Sequence, residues 1–328
     1  MARIAVIGAG LAGLTVAREL SRDNEVAVFE KSRGAGGRIA TRYAAGCEFD
    51  HGAQFFVAKS QAFQTFLQPL IEQGVVCNWQ ARFAELERGN VVSARQWGAA
   101  YPHYVGAPRM NAIGKWLARD VNVRLQIEIV RLDRRHGLWQ LVDSEGSETG
   151  PFDWVVMSAP ASQTAAMLPP STPMHHRSAT VRMNACCALM LAFDEHRELP
   201  FDAALVRGAD ISWISVNSSK PGRSRRLCLV IHSTNAWADR HIDDGDDAIL
   251  AHLLAECSDV TGIEADSAAF CGLQRWRYAN LGKQPAPHYL IDEENQLAAC
   301  GDWLIRGRIE AAFSSAMELL EALKRTGL

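Results

Sequence analysis

The chain has 328 residues, of which 48% are hydrophobic and 22% are charged, and its formal net charge is −3. The length suits two domains with a sizeable core, and the small negative charge argues against a nucleic-acid or acidic-membrane partner. No apolar run approaches the roughly 18 residues of a membrane-spanning helix, and the first apolar run is short and ends in glycines. We therefore expect a cytoplasmic protein. No obligate protein partner is evident from the sequence.

The eight cysteines contain no C-x-x-C pair and lie mostly in apolar segments such as residues 185–189. This distribution is typical of buried free thiols in a reducing compartment. His175 and His176 adjoin a proline-rich turn and have no carboxylate or thiol at ligand spacing. We therefore expect no metal site.

The first predicted element is a buried strand at Ile4–Ile7, which is followed by three glycines with the spacing G-x-G-x-x-G. Gly8 permits a tight turn, and Gly10 lets a diphosphate approach the backbone. Gly13 lets the next helix, predicted from about Leu11 to Ser21, lie close to the strand. This arrangement is typical of the first turn of a dinucleotide-binding fold.

A second buried strand, Val26–Phe29, ends in Glu30, which follows the first of these glycines by 22 residues. A carboxylate near this position binds the ribose hydroxyls of a dinucleotide, and we assign Lys31 to the same site. The amides of Leu11 and Ala12, at the positive end of the helix dipole, are predicted to hold the diphosphate. The alternative interpretation is a glycine turn in an ordinary α/β sheet.

A second glycine-rich segment, Ser32–Arg38, follows directly and reads S-R-G-A-G-G-R. An NAD enzyme has no use for such a segment. In an FAD protein, Gly37, Arg38 and the neighbouring backbone can close over the pyrophosphate from the other side. The sequence therefore predicts FAD, which we expect to be bound non-covalently.

The rest of the chain alternates between helical and strand patterns and shows no internal repeat. Helices are predicted at residues 59–73, 110–117, 246–257 and 309–323. Strands are predicted at residues 121–125, 128–133, 139–143, 154–159, 188–193, 211–216, 227–232, 274–278 and 296–300, with a hairpin turn at Gly89 and Asn90.

The two glycine-rich segments together resemble the flavin amine oxidase superfamily, whose members carry G-G-R shortly after the ribose acid. Residues 50–56, D-H-G-A-Q-F-F, are similar to the D-x-G-A-x-x-F segment that runs beneath the flavin in that family. Residues 300–302 and 308–312 are similar to its closing segment. The resemblance implies flavin contacts from Gln54, Phe55 and Phe56, adenine contacts from the backbone around Ile129, a ribityl contact from Asp302, and contacts to the N1–C2=O edge from the amides of Arg308 and Ile309.

The resemblance also implies the fold class. We expect an α/β protein with a Rossmann-type FAD-binding domain, in the two-domain architecture of flavin amine oxidases and p-hydroxybenzoate hydroxylase. The second domain should be a mixed-sheet α+β substrate domain. The FAD-binding domain is predicted to comprise residues 1–57, 104–165 and 286–328, and the substrate domain residues 58–103 and 166–285.

Arg308 stands where amine oxidases of this superfamily carry a tyrosine from the aromatic pair that encloses the amine. A guanidinium at that position would repel a protonated amine. The compact length and the segment at residues 50–56 are most similar to the renalase family in its bacterial form. That resemblance implies an FAD-dependent oxidase that converts the 2-dihydro and 6-dihydro isomers of NAD(P)H to NAD(P)⁺ and passes the electrons to O₂, giving H₂O₂.

Such a substrate is already a hydride donor and becomes aromatic on oxidation, so positioning can suffice without a catalytic base. The sequence indicates no certain catalytic residue. The residues predicted to line the substrate pocket are Phe55, Tyr104, His232, Trp276, Tyr278 and Arg308. Two alternatives stay open: another flavin oxidase or desaturase, acting on amines or on polycyclic or polyene substrates, and a flavoprotein without enzymatic activity.

Overall fold

The computed structural model describes residues 1–194 and 198–328. These residues form two compact units, each assembled from separate stretches of the chain. The first unit comprises Met1–Arg38, Ile113–Met183 and Asn280–Leu328, and the second comprises Ile39–Ala112 and Asn184–Ala279.

The helices and strands that the sequence predicts occur close to their expected positions, and the structure adds several that the sequence analysis did not name. The strands are β1 (Arg3–Ile7), β2 (Glu25–Glu30), β3 (Arg42–Ala44), β4 (Cys47–Phe49), β5 (Val76–Asn78), β6 (Arg82–Glu87), β7 (Asn90–Gln96), β8 (Tyr104–Gly106), β9 (Asn122–Leu125), β10 (Ile129–Arg135), β11 (Leu138–Asp143), β12 (Glu148–Phe152), β13 (Trp154–Met157), β14 (Asn184–Ala192), β15 (Ala203–Arg207), β16 (Ile211–Val216), β17 (Cys228–Ser233), β18 (Phe270–Asn280), β19 (Leu290–Asp292) and β20 (Leu297–Ala299). The helices are α1 (Leu11–Leu20), α2 (Gln61–Glu72), α3 (Ala112–Leu117), α4 (Ala161–Met167), α5 (Pro173–Thr180), α6 (Asn235–His241), α7 (Asp246–Thr261) and α8 (Ile309–Arg325). Among the helices of the described residues, none combines the length and the apolar character needed to cross a bilayer.

The first unit is built on a sheet with the strand order β19-β20-β13-β1-β2-β9. The strands from β20 to β9 pair in parallel, and only β19 is antiparallel to its neighbour. Ile4, Ala5 and Val6 of the central β1 are completely buried, as expected for a parallel strand covered on both faces. A small antiparallel sheet, β10-β11-β12, accompanies it. The predicted Rossmann-type α/β arrangement is confirmed.

The second unit contains a mixed sheet with the order β18-β14-β17-β16-β15-β6-β7. Strand β15 pairs in parallel with β6, whereas β14, β16 and β17 pair antiparallel with their neighbours in the order β14-β17-β16-β15. Leu189, Leu191, Leu229 and Ile231 are fully buried in a core that also includes Leu253 of α7. This mixed-sheet α+β unit agrees with the predicted class of the second domain.

The borders of the units lie elsewhere than the sequence suggested. Residues 39–57 and 104–112, expected in the FAD-binding domain, belong to the second unit, and residues 166–183 and 280–285 belong to the first. Strand β4 packs against β17 of the second unit, and α5 packs against β19 of the first. These contacts join segments that are distant in sequence, so the local hydrophobic pattern could not reveal them.

Candidate active site

The first glycine segment leaves open space above the start of α1. Gly8 has φ +105°, and a Cβ there would lie 2.9 Å from the carbonyl oxygen of Ser158. A Cβ on Gly13 would overlap the carbonyl oxygen of Gly8, so α1 can lie this close to β1 only with glycine. At Gly10, the N-cap of α1, a Cβ would meet no described protein atom within 4 Å. That space, at the positive end of a helix, suits a diphosphate.

The second glycine segment lies directly beside the first. Gly36 and Gly10 form a parallel β-bridge, and the Gly36 amide donates to the carbonyl of Ala9 at 2.8 Å. On its other side, a Cβ on Gly114 of α3 would come within 2.7 Å of the Cα of Gly36. The sequence predicted both glycine segments for the same cofactor. The structure places them in contact within one unit.

Glu30 is held rigidly at the end of β2. Its carboxylate is buried and accepts hydrogen bonds from the backbone amides of Ala9 and Ser32, both at 2.8 Å. The acidic side chain that was predicted to bind ribose is therefore fixed beside the glycine turn. Backbone donors of this kind orient a carboxylate while leaving it lone pairs for further hydrogen bonds.

The predicted adenine residues lie on the same side of the first unit as Glu30. The amide of Ile127 donates to the carbonyl of Glu30 at 3.0 Å, and Lys31 Nζ lies 3.4 Å from Glu128 Oε1. Ile129 is the first residue of β10 and is buried. The structure thus brings Lys31 and the backbone around Ile129 together with the ribose acid.

Arg38 and Asp302 form an ion pair that the sequence did not predict. The guanidinium donates to both carboxylate oxygens of Asp302, at 2.9 and 2.5 Å, across 264 residues of chain. Asp302 is buried, and its carbonyl accepts from the Arg306 amide at 2.7 Å. A bidentate pair of this kind has a fixed geometry. The two predicted cofactor ligands therefore orient each other.

Arg308 is the N-cap of α8, and Ile309 begins this helix as predicted. The Arg308 side chain is exposed and donates from Nη1 to the carbonyl of Gly307 at 2.8 Å. An arginine at the N-cap provides no oxygen to accept from the first amides of the helix. The Arg308 amide donates to the carbonyl of Arg306 at 2.7 Å, so of the two amides predicted to face the flavin, that of Ile309 is the better suited to an acceptor on a ligand.

In the second unit, Phe55 lies in an aromatic cluster that the sequence analysis missed. Its ring centroid is 4.8 Å from that of Trp97, 5.2 Å from His103 and 5.3 Å from Trp213. Trp97 and His103 stack at 3.7 Å. The only sequence signal was the density of aromatic residues between positions 97 and 105.

His232 and Trp276 meet at the backbone of His51. The His51 carbonyl lies 3.0 Å from Trp276 Nε1, which donates to it, and 3.1 Å from His232 Nε2. The His51 and Trp276 rings stack at 5.2 Å, and Gln54 Nε2 lies 3.3 Å from His232 Nε2. Three predicted residues, Gln54, His232 and Trp276, are thus brought together.

The last two pocket candidates occupy separate positions. The backbone of Tyr104 exchanges hydrogen bonds with that of Phe56, at 2.9 and 2.7 Å, and their rings are 5.8 Å apart. Tyr278 lies two residues beyond Trp276 on β18, so both side chains are on the same face of the strand. The candidates of the second unit therefore form distinct groups, and Arg308 belongs to the first unit.

Asp50 is the centre of a buried polar cluster that sequence reasoning did not find. Its carboxylate accepts from Arg223 at 2.5 Å, from Thr41 Oγ1 at 2.7 Å and from the Met110 amide at 3.0 Å, and Lys220 Nζ lies at 3.4 Å. Burial raises the pKa of this carboxyl, but the charges of Lys220 and Arg223 outweigh burial and hold it below its ordinary value. We call Asp50, Gln54, Asn217, Lys220 and Arg223 the Asp50 cluster.

The two histidines of this region predict a loss of stability in acid. Burial lowers the pKa of both His51 and His232 from 6.5 to about 4. The unfolded chain therefore binds protons near pH 6.5 that the folded protein does not bind until about pH 4. Their contribution to stability is complete above pH 6.5 and should be lost progressively as the pH falls from 6.5 towards 4.

Melting temperature measured against pH checks this expectation. His232→Gln, which cannot be protonated, should show a shallower acid slope than the wild type. His176→Gln, at an exposed position, should keep the wild-type slope. Equal slopes in all three proteins would show that His232 is not the responsible group.

The parallel α/β sheet, the paired glycine segments and the fixed ribose acid define a dinucleotide-binding protein of the flavin-dependent oxidoreductase class. Residues 107–316 match the family described as flavin containing amine oxidoreductase, and residues 6–70 match the NAD(P)-binding Rossmann-like domain. Because the first match covers more than half of the chain, the protein belongs to the flavin-containing amine oxidoreductase family.

Solved structures show the same fold over nearly the whole chain. A chain from an Exiguobacterium species, provisionally named protoporphyrinogen oxidase, aligns with a TM-score of 0.76 at 11% identity and covers 99% of both chains. A fatty acid isomerase from P. acnes that produces CLA aligns at 0.73 with 10% identity over 98% of each chain. A putrescine oxidase variant aligns at 0.72 with 11% identity over 99% of each. Because the sequence identities are only 10–11%, the similarity establishes the fold alone.

Proposed function

We propose that this protein is an oxidase that binds FAD non-covalently and oxidises the 2-dihydro and 6-dihydro isomers of NAD(P)H. The open space at Gly10, where an added Cβ would meet nothing, fits the FAD pyrophosphate. We assign the residues as the sequence suggested. The pyrophosphate contacts are Gly8, Gly10, Leu11, Ala12, Gly13, Gly37 and Arg38; the adenosine contacts are Glu30, Lys31 and Ile129; and the contacts to the ribityl chain and flavin ring are Asp302, Arg308, Ile309, Gln54, Phe55 and Phe56.

The observation that carries the substrate class is the weak basicity of the candidate pocket. With pKa values of about 4, His51 and His232 are poor proton acceptors at neutral pH, and Asp50 is held by two cations. Lys220, whose pKa burial lowers to about 8, is mainly protonated at pH 7. A protonated amine must lose a proton before it can give up a hydride, which calls for a base. A dihydronicotinamide needs none. The exposed guanidinium of Arg308 adds positive charge that disfavours an ammonium substrate.

Bound FAD would supply the hydride acceptor, and the protein would supply orientation. The aromatic rings around Phe55 are tilted against one another and offer apolar contacts, and Arg308 offers donors for a carboxamide or phosphate. The overall reaction consumes one dihydronicotinamide, one O₂ and one proton. It yields one NAD(P)⁺ and one H₂O₂, so both hydrogen atoms and electrons balance.

The test is anaerobic stopped-flow reduction of the bound flavin. The 2-dihydro and 6-dihydro isomers should bleach it at least about 10-fold faster than ordinary 4-dihydro NADH, because only they would place the donated hydride correctly, a difference of about 1.4 kcal/mol or more on the barrier. On admission of oxygen, H₂O₂ should appear in equal amount to the NAD(P)⁺ formed.

Two controls accompany this measurement. Acid precipitation should leave the flavin in the supernatant, as non-covalent binding requires. Putrescine serves as the amine probe, since a putrescine oxidase variant shares the fold. Bleaching by putrescine at a rate equal to or above that of the isomers would replace this proposal with an amine oxidase. A flavin-loaded protein inert to all of these donors would contradict the dihydronicotinamide oxidase.

A further inference from the structure

A tight turn places two cations side by side in the Asp50 cluster. Residues 220–223 read K-P-G-R, Gly222 has φ +77°, and the Arg223 amide donates to the carbonyl of Lys220 at 3.4 Å. Proline followed by a glycine with positive φ is the signature of a type II turn. The first and last residues of such a turn are neighbours, and both side chains reach the same oxygen, Oδ2 of Asp50.

The charges in this cluster do not balance. The side chains of Asp50, Lys220 and Arg223 are at most 1% exposed, so one buried carboxylate faces two buried cations. The nearby Glu48 does not compensate, because it is paired with Arg109. The cluster therefore carries one positive charge in excess.

The two cations have different partners. Arg223 lies closer to Asp50, at 2.5 Å, and its Nη1 also donates to three backbone carbonyls, so it alone would neutralise the carboxylate. Lys220 Nζ has three acceptors at hydrogen-bond range: Asn217 Oδ1 at 2.9 Å, Gln54 Oε1 at 3.2 Å and Asp50 Oδ2 at 3.4 Å. Lys220 is thus not needed to neutralise the carboxylate of Asp50.

Lys220 differs from Arg223 in its contacts with Asn217, Gln54 and the Trp79 ring, and the contact with Gln54 reaches the segment assigned to the flavin. Because the ammonium can only donate, Gln54 must present its oxygen to Lys220 and its Nε2 to the carbonyls of Asp50 and Gly52. The titratable side chain on the other side is His232, which burial keeps neutral. Lys220 and the carbonyls of Asp50 and Gly52 therefore fix the orientation of the Gln54 amide together.

We propose that Lys220 is a positioning residue that holds the Gln54 amide and places an unbalanced positive charge against residues 50–56, which makes the bound flavin easier to reduce. This inference rests on the part of the proposed function that assigns Gln54–Phe56 to the flavin ring. Reduction adds negative charge to the flavin, and a fixed positive charge in a water-excluded site favours the reduced form. The inference does not depend on the identity of the electron donor.

The test compares the two-electron reduction potential of bound FAD in the wild type and in Lys220→Met, measured by equilibrium reduction against a reference dye. Lys220→Met should fold and retain FAD, because Asp50 and Arg223 remain as a balanced pair. The equilibrium constant for reduction at pH 7 should fall about tenfold, which corresponds to about 30 mV for a two-electron couple. Lys324→Met, which removes an exposed ammonium near the end of α8, should leave the potential unchanged.

The pH dependence gives a readout that a merely structural lysine would not change. Burial lowers the pKa of Lys220 to about 8, with Asp50 opposing and Arg223 reinforcing that shift. The wild-type potential should therefore show an inflection near pH 8 that Lys220→Met lacks, and the two proteins should converge above it.

Equal potentials in wild type and Lys220→Met would overturn the proposal. If Lys220→Met does not retain FAD, the wild-type profile decides, and a profile without the inflection near pH 8 overturns the proposal as well. The dye titration uses no dihydronicotinamide. Failure of the proposed substrate is therefore detected in the stopped-flow experiment, separately from failure of the role of Lys220.

Discussion

Asp50→Asn should lower the free energy of unfolding by about 3–5 kcal/mol at pH 7, as is typical when one partner of a buried ion pair is removed. The substitution keeps the size of the side chain but leaves Lys220 and Arg223 buried without a counter-charge. It also weakens the acceptors for Thr41 and the Met110 amide. Urea denaturation followed by circular dichroism measures the loss.

The pH dependence of this loss identifies its electrostatic origin. Asp50 raises the pKa of Lys220 against the effect of burial, so without Asp50 that pKa lies below its wild-type value of about 8. The variant therefore loses the unpaired lysine charge at a lower pH than the wild type, and the destabilisation should shrink as the pH rises towards 8 and stay constant above it. Asp243→Asn is the matched control, because Asp243 pairs with Arg277 at 2.6 Å on the surface of the same unit. It should leave the free energy of unfolding close to the wild-type value. A similarly small effect of Asp50→Asn would show that the buried cluster is not charged as described.

The first unit could be predicted closely from sequence because its signals are local. Gly8, Gly10, Gly13 and Glu30 fall within a single strand–helix–strand segment, and the structure places each where the spacing indicated. The pairing of Arg38 with Asp302 escaped prediction, since 264 residues separate the two and neither position carries a periodic pattern. Each was assigned to the cofactor separately, and only the fold shows that they also orient each other.

The second unit was predicted in outline but not in its polar interior. The stretch S-S-K-P-G-R at residues 218–223 consists of turn formers and charges, which are typical of an exposed loop. The turn is present, yet the side chains of Lys220 and Arg223 are buried because both form ion pairs with the buried Asp50. Asp50 lies 170 residues from Lys220 and 173 residues from Arg223 in the sequence. A buried ion cluster formed across such distances has no signature in a single sequence. The aromatic cluster around Phe55 was missed for the same reason.

Arg308 provides the second large expected effect. If its guanidinium binds the carboxamide or phosphate of the substrate, Arg308→Met should slow flavin reduction by the 2-dihydro isomer about 10- to 100-fold, or about 1.4–2.7 kcal/mol on the barrier. The FAD content should stay near normal, because the backbone at the start of α8 is unchanged and methionine retains much of the stem's packing. Anaerobic stopped-flow absorbance measures the rate, and release of flavin in acid measures the FAD content.

Arg325→Met is the matched control for this prediction. It removes the same charge from the last residue of α8, about 24 Å along the helix axis from its start. The flavin of this variant should be reduced at the wild-type rate. Arg308→Tyr should not by itself produce amine oxidation, since a second ring would still be needed to enclose the amine. If the flavin of Arg308→Met is reduced as fast as that of the wild type, the exposed guanidinium does not contact the substrate. The argument against an ammonium substrate then rests on the weak basicity of the histidines and of the Asp50 cluster alone.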